Sequence, residues 1–411
     1  MRFFAYPSAA FPGLVYPSQV PERLFPRAGQ DGRDYSVGYR FQLLDRFEKN
    51  AVEALSVLPT GYVKWHSTKS IKGGGTITVR DTGQKIDWPN ARIKPWRQHV
   101  FQNGDVEEFP LGVYLMSAPV EEWDSLGRKW RVELLDKNSI LDSDIVTDEN
   151  GDPVTFSVVA GKNLTDVVIS LIAMTGEPTP AITSEFTPLS KDMSWAVGTP
   201  ILKIINDLLS AGNHFSLMCD MHGQYRIHPY VRPSERPVIY DQGTHFGSET
   251  PFSYGESSLM SPEWSRDLDI YAVPNRWVSI TQGDSENEAL VATATNEDPI
   301  SPFSYQARGR WITQVETAVE AVDEAALLAH AERKLDNATS STVGIQASHL
   351  FLPYLHINSV VRFKNKLADD LDMFASVLNT TVPFDPLELC SSEFREFSGS
   401  HSTWSELEEE E

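Results

Sequence analysis

EEFPLGVYLMSAPVEEWDSLGRKWRVELLDKNSILDSD, running from Glu107 to Asp144, is the stretch whose reading decides the fold. Phe109, Leu111, Val113 and Leu115 recur at every second position, the period of a strand with one buried face. A polar turn follows at Asp124-Ser125-Leu126-Gly127, after which Trp130, Val132 and Leu134 alternate with Arg131 and Glu133. Two alternating runs across a Gly-containing connection predict a long β-hairpin. Nothing in it has the pattern of a catalytic site; it is built to pair strands.

Toward the N-terminus, YRFQLLDRF (39–47) echoes WRVELLDKN (130–138): aromatic, Arg, apolar, polar, Leu-Leu-Asp, basic. The echo brackets a segment that reads as one barrel-like domain with these as its first and last strands. Between them lie GYVKWHS (61–67), GGGTITVRDTG (73–83) and NARIKPWRQHVF (90–101), short strands separated by Gly, Pro and Asn turns. Gly73-Gly74-Gly75 is not a phosphate cradle. It lacks the Lys-Ser/Thr that follows such a loop and runs into a strand, so it reads as a strand-entry bend. Residues 1–35 carry five prolines among the first 26 and no period, which excludes a regular helix or central strand. Phe3, Phe4, Tyr6, Phe11, Tyr16 and Phe25 make this arm too apolar for a solvated tail. It must lie on its own body or on a neighbouring subunit, which makes Phe3, Phe4, Tyr6, Phe11 and Tyr16 the candidate inter-subunit or partner contacts.

Toward the C-terminus the character changes. Asn163 predicts a helix cap, with Leu164, Val167, Val168, Leu171 and Ile172 on one face and Gly176 at the stop. Thr199-Pro200 predicts a second start, with Pro at the first helical position, an Ile201, Ile204, Ile205, Leu208 and Leu209 stripe, and Gly212 as the stop. HFSLMCDMHGQYRIHPYV (214–231) reads as a hairpin with His222-Gly223 in its turn. From Glu263 strands return at 270–281, 289–296, 308–315, 342–352, 358–366, 373–385 and 391–398. One amphipathic helix interrupts them near Asp323, with Val322 and Leu327 spaced as a hydrophobic staple. The expected class is mainly β with α+β. The expected division is an arm (1–35), a first β-barrel domain (36–150), an α+β domain (151–262), a second β-barrel domain with one helix (263–400) and an acidic tail (401–411).

The whole chain has 411 residues, 41% hydrophobic and 22% charged, ordinary globular composition. A net charge of -22 argues against a protein that grips phosphate backbones, because that grip depends on Lys and Arg replacing counterions. It fits solubility, or a surface past which DNA slides without binding. Cys219 and Cys390 are the only cysteines, no disulfide framework, which points to folding in a reducing cytoplasm. No apolar run approaches the roughly 18 residues of a membrane helix. Pro7 and Pro12 break what would otherwise suggest a signal peptide at the start.

Chemistry is hard to find. The ten histidines are scattered without HExxH. Cys219 and His222 are close, but a hairpin turn accounts for them. Asp148, Asn150 and Asp152 have the spacing that opens a calcium loop, yet Pro153 stands where Gly is needed and Val159 where a bidentate Glu is required. Glu121-Glu122 and Asp369-Asp370 are adjacent, so their side chains diverge. No catalytic residue, cofactor site or metal site is expected.

Several ordered stretches carry a resemblance: YRFQLLD, SIKGGGTITV, IDWPNARIKPW, FPLGVYLMSAP, WRVELLDKNSIL, WAVGTPILKIINDLL, GQYRIHPYVRPSERPVIY, VPNRWVSI, TNEDPISPFSYQARGRWI, AERKL and NSVVRFKN. Together, from Tyr39 to about Arg395, they are similar to the central tail-tip or baseplate hub proteins of long-tailed bacteriophages, the minor tail proteins of actinobacteriophages in particular. The resemblance implies two small β-barrel domains that give a homotrimer pseudo-sixfold symmetry, with α+β domains attached. It implies a virion tail-tip protein, assembled in the host cytoplasm. That protein would join the tail tube and distal tail ring, the end of the tape measure protein and the tail fibres or receptor-binding proteins. Genomic DNA would pass through it without specific binding and nothing would insert into a membrane. Two rivals stand beside it: a receptor- or carbohydrate-binding β protein of the virion, and a wall-degrading hydrolase, which needs two carboxylates about 5–9 Å apart in a cleft.

Overall fold

The hairpin within residues 107–144 belongs to the main sheet of the computed structural model, which describes residues 35–48, 51–177, 187–189, 191–236, 238–240, 260–268, 271–281, 289–317, 319, 321, 323–340, 343–353, 355–365 and 371–396. The N-terminal arm with Phe3, Phe4, Tyr6, Phe11 and Tyr16, the acidic tail, Val322 and Asp369-Asp370 lie outside the described residues. Eight strands come first: β1 (Tyr35–Leu44), β2 (Ala51–Ala54), β3 (Val57–His66), β4 (Gly73–Arg80), β5 (Arg92–Phe101), β6 (Val106–Pro110), β7 (Tyr114–Asp124) and β8 (Gly127–Asp136). β7 and β8 close at Asp124 opposite Gly127, as the turn residues predict. The first arm of the expected hairpin is not one strand. It breaks at Gly112, whose φ of 100° only glycine adopts without strain, and the Tyr114 hydroxyl donates to the Leu111 carbonyl at 2.8 Å across the break. The break shifts the phase: Tyr114 and Met116 are buried and Leu115 is half-buried. The echoing segments fall in β1 and β8, but these two do not pair; β1 pairs with β2 and β5, and β8 with β4 and β7.

Next come α1 (Asn138–Ser143), β9 (Phe156–Val158), α2 (Leu164–Met174), β10 (Met193–Trp195), α3 (Ile201–Ala211), β11 (Met218–Cys219), β12 (Tyr225–Arg226) and β13 (Val238–Tyr240). The stripes of α2 and α3 meet in one core with Leu141, Val158, Trp195 and Tyr225. Two start signals work differently from expectation. Pro200 is itself the residue before the first turn of α3, not its first residue. Asn163 makes no side-chain cap; its amide oxygen accepts from the Thr187 N–H at 3.1 Å and ties the returning chain to the helix.

The remaining elements are β14 (Met260–Leu268), β15 (Arg276–Ile280), β16 (Val291–Thr295), α4 (Tyr305–Arg308), β17 (Thr313–Glu316), α5 (Glu324–Ser340), β18 (Val343–His349), β19 (Val360–Asn365), β20 (Leu371–Pro383) and β21 (Cys390–Glu396). Asp323 caps α5 by accepting from the Ala326 N–H at 2.7 Å. The single turn α4 is an addition to the one helix expected here. β15, β16 and β17 form a sheet of their own, with β17 parallel to β15, against which α5 packs Ala331 and Leu335. The two β-rich halves are not separate sheets. One hydrogen-bonded path runs β14-β18-β21-β20-β3-β4-β8-β7-β5-β1-β2, joined where β20 pairs with β3 from Asn379 opposite His66 to Pro383 opposite Tyr62. Val382, Phe384 and Cys390 from the last strands pack in the same core as Phe41, Val63, Ile77 and Val132.

Candidate functional site

Among the described residues, four charges form a buried ring where the first β region meets the α+β region. Arg92 opens β5, Glu48 follows β1, Lys137 links β8 to α1, and Glu177 follows α2. The Arg92 guanidinium donates to both Glu177 oxygens (3.0 and 2.5 Å) and to Glu48 (3.1 Å). Lys137 Nζ lies 2.6 Å from Glu48 and 3.4 Å from Glu177, and donates to the Gly223 carbonyl at 2.9 Å. Two cations and two carboxylates cancel, which is what permits them to be buried together. Gly223 has to be glycine: its φ is 84° and a Cβ would meet Val113 at 2.6 Å.

Beside the ring, the buried Asp136 accepts backbone N–H groups from Gly73 (2.8 Å) and Asn138 (3.0 Å). Burial pushes its carboxyl up, against those hydrogen bonds. Burial first and Asp136 second push the neighbouring Cys219 thiol well above its ordinary value, so it stays protonated and is a poor nucleophile. Burial, then Lys94, lowers the His222 imidazole. His222 lies in the turn of the β11–β12 hairpin and Cys219 ends β11 opposite Tyr225, so the hairpin accounts for both, as the sequence reading had it. Lys72 is depressed to about 8 by burial, but its amine already donates to the Ser67 and Lys69 carbonyls at 2.6 and 2.9 Å. It closes a turn.

The other sequence candidates resolve the same way. Asp148 accepts the N–H groups of Asn150 (2.8 Å) and Asp152 (3.0 Å), bonds that hold its carboxylate low and define a turn. Among the described residues no three His, Cys, Asp or Glu side chains are grouped to hold a metal. Glu121 and Glu122 diverge to different partners: Glu121 accepts from the Trp123 indole at 2.9 Å, and Glu122 faces Arg131 at 3.4 Å. Gly73, Gly74 and Gly75 are the first three residues of β4, where they pair with β3 and β8. A pocket bounded by Trp65, Leu111, Phe351, Leu355, Val382 and Cys390 has a volume of about 10 Å³, room for one water. No helix among the described residues is long and apolar enough to cross a membrane.

What points outward is of another kind. Trp123 (70% exposed) and Leu126 (81%) stand at the tip of the β7–β8 hairpin. β7 carries an irregularity at Ala118-Pro119, where Ala118 has a φ of 45° and the register with β8 shifts, while β8 stays paired with β4 up to Lys129. Sequence reasoning missed the charge ring, because its members lie far apart in the chain, Arg92 being 44 residues from Glu48 and 85 from Glu177, and only the fold brings them together.

No protein-family model matches the sequence, and no curated protein matches it. Solved structures match its fold. A tail protein from Neisseria meningitidis superposes with a TM-score of 0.58 at 9% identity, over 88% of this chain and 96% of its own. A 43 kDa tail protein of prophage MuSo2 from Shewanella oneidensis gives 0.54 at 10% identity, over 87% and 98%. Prophage tail protein gp18 from Listeria monocytogenes gives 0.52 at 12% identity, over 90% and 98%. The protein therefore has a mainly β fold shared with phage tail proteins.

Proposed function

We propose that this chain is a structural protein of a phage tail. In the finer reading it is a homotrimeric hub at the distal end that links the tail tube and distal tail ring to the tip and fibres, around the DNA exit channel. The observation that carries the reading is the extent of the fold match: nearly the whole of three tail proteins superposes on nearly the whole of this chain. The interior agrees, since the buried carboxylates, the thiol of Cys219 and the amine of Lys72 are engaged in holding strands and turns. The charge of -22 suits a wall past which DNA slides. In the trimer the two β-rich halves of each subunit act as the two barrel units, six in all, and the apolar N-terminal arm clamps a neighbour.

The test is absolute mass in solution, with and without residues 1–35. The expected result is three times the 46.0 kDa chain mass, with dissociation when the arm is removed. A trimer indifferent to truncation keeps the hub and sends the arm to another tail protein. A monomer in both forms, at high concentration and in the presence of tail-ring protein, overturns the hub.

A further inference from the structure

One patch of this acidic protein gathers arginines and aromatic rings. Tyr271, Arg276, Tyr305, Arg308, Arg310 and Trp311 adjoin one another around the edge of the β15–β17 sheet. The Arg276 guanidinium lies 5.0 Å over the Trp311 ring, Trp311 stacks on Tyr305 at 4.5 Å, and Arg310 lies 5.9 Å over Tyr271. Arg308 donates to the Val273 carbonyl at 3.2 Å, close enough to Arg310 for the two like charges to be felt. Among the described residues neither Arg276 nor Arg310 has a carboxylate partner. Tyr271 is 79% exposed, and Tyr305 and Trp311 more than a third.

The face is rigid. The buried Asn275 donates to the Arg310 carbonyl at 2.9 Å and accepts from the Ile312 N–H at 2.7 Å. The turn α4 is closed at its start by the Ser304 hydroxyl, which accepts from the Ala307 N–H, and at its end by Gly309 at a φ of 63°. Tyr, Trp and Arg are the side chains that dominate binding energy at protein interfaces. The net charge of -22 disfavours a phosphate backbone as the occupant. What the face offers outward is guanidinium forks, which match carboxylates.

The same chain carries a complement. From Asp142 to Asp152 the sequence DSDIVTDENGD holds Asp142, Asp144, Asp148, Glu149 and Asp152 and no Lys or Arg; Asp142, Asp148, Glu149 and Asp152 are exposed. We propose that the Arg–aromatic face is a docking surface for a second copy of this chain, which meets it with its 142–152 loop. Two different patches meeting head to tail generate a ring where the rotation between copies closes and an open filament where it does not; the contact rests on the trimeric reading, which supplies the threefold closure.

Sedimentation of the full chain tests it, using Arg310→Glu with Tyr271→Ser (both side chains exposed) as the face variant and Glu149→Lys with Asp152→Lys as the loop variant. Each variant alone is expected to weaken self-association at least tenfold, and joining both sets of changes in one chain is expected to restore most of it, since every contact around a threefold ring then carries the swapped charge pair. A wild-type chain that associates, with both variants associating equally tightly, overturns the docking surface and leaves the trimer standing. A wild-type chain that never associates overturns the trimer and this contact with it. Single-stranded oligonucleotide binding that is lost in the face variant, with self-association unchanged, reassigns the face to nucleic acid and also overturns the proposal.

Discussion

Arg92 and Glu177 lie 85 residues apart in the chain and meet as a buried, doubly hydrogen-bonded ion pair, with contacts of 3.0 and 2.5 Å. Both side chains are almost fully out of water, 3% and 2% exposed. The pair binds the end of α2 to the start of β5, so an error at either residue is felt by two regions of the fold at once.

Glu177→Ala is therefore expected to cost about 3–5 kcal/mol, because it leaves the Arg92 charge buried with only Glu48 to share between two cations. The double change Arg92→Met with Glu177→Leu is expected to recover most of that loss, since a hydrophobic pair of similar volume carries no desolvation penalty. Urea midpoints of the three proteins decide the matter. A Glu177→Ala protein within about 1 kcal/mol of wild type would show that the ring is solvated and structurally idle.

The glycine triplet gives a second test. A Cβ on Gly75 would sit 2.1 Å from the Tyr62 carbonyl oxygen, a backbone atom that cannot move aside, whereas on Gly74 it would sit 3.2 Å from the Leu134 carbonyl. Gly75→Ala is expected to cost roughly 2–4 kcal/mol, and Gly74→Ala about 1 kcal/mol or less. Equal melting temperatures for the two variants would contradict this close approach of β3 to β4.

These positions show what was legible and what was not. The alternation of Trp130, Val132 and Leu134, the Asp124–Gly127 turn and the stripes of α2 and α3 are local periodicities, and a local pattern survives folding. The break at Gly112 was hidden because Phe109, Leu111, Val113 and Leu115 keep the period while the backbone turns beneath them. The pairing of β20 with β3 joins residues more than 300 apart, and nothing local in Asn379 or His66 announces the other. The same holds for Glu48, Arg92, Lys137 and Glu177, each of which reads alone as a surface charge. The Arg–aromatic face was equally hidden, its residues spread from Tyr271 to Trp311 between elements that only the β15–β17 pairing brings together.

His99 is fully buried, stacked on Tyr35 at 4.2 Å and edge-on to Phe109 at 5.0 Å. Neither ring nitrogen has a hydrogen-bond partner. Burial, then Arg97, holds its pKa down at about 3. The folded protein thus resists a proton that the unfolded chain accepts near 6.5, so stability is full above 6.5 and falls as the pH drops toward 3. His99→Phe removes both the orphaned nitrogens and this acid penalty. It is expected to stabilise by about 1 kcal/mol at pH 7, with the advantage over wild type growing as the pH is lowered from 6.5. Melting temperatures measured at pH 7, 6, 5 and 4 check it; an advantage that shrinks on acidification would rule it out.

Glu316 titrates with the same sign in a lower window. Its carboxylate contacts His330 Nε2 at 3.0 Å and Lys334 Nζ at 3.0 Å. Arg333 Nη2 lies 2.9 Å from His330 Nδ1, and a guanidinium can only donate. His330 therefore accepts at Nδ1 and carries its proton on Nε2, donating to Glu316. That hydrogen bond first, then Lys334, depresses Glu316 from its ordinary 4.5 to about 2. A depressed carboxylate contributes stability that is present above 4.5 and lost as the pH falls toward 2. The site is partly open to solvent, so screening holds the contribution to about 1 kcal/mol. Glu316→Gln is expected to melt below wild type at pH 7, to lose more than half of that deficit by pH 3 and to converge with wild type only toward pH 2, while the His99 effect is already well developed at pH 5. A Glu316→Gln deficit that persists unchanged at pH 3 would show that packing of the side chain on α5, not its charge, supplies the stability.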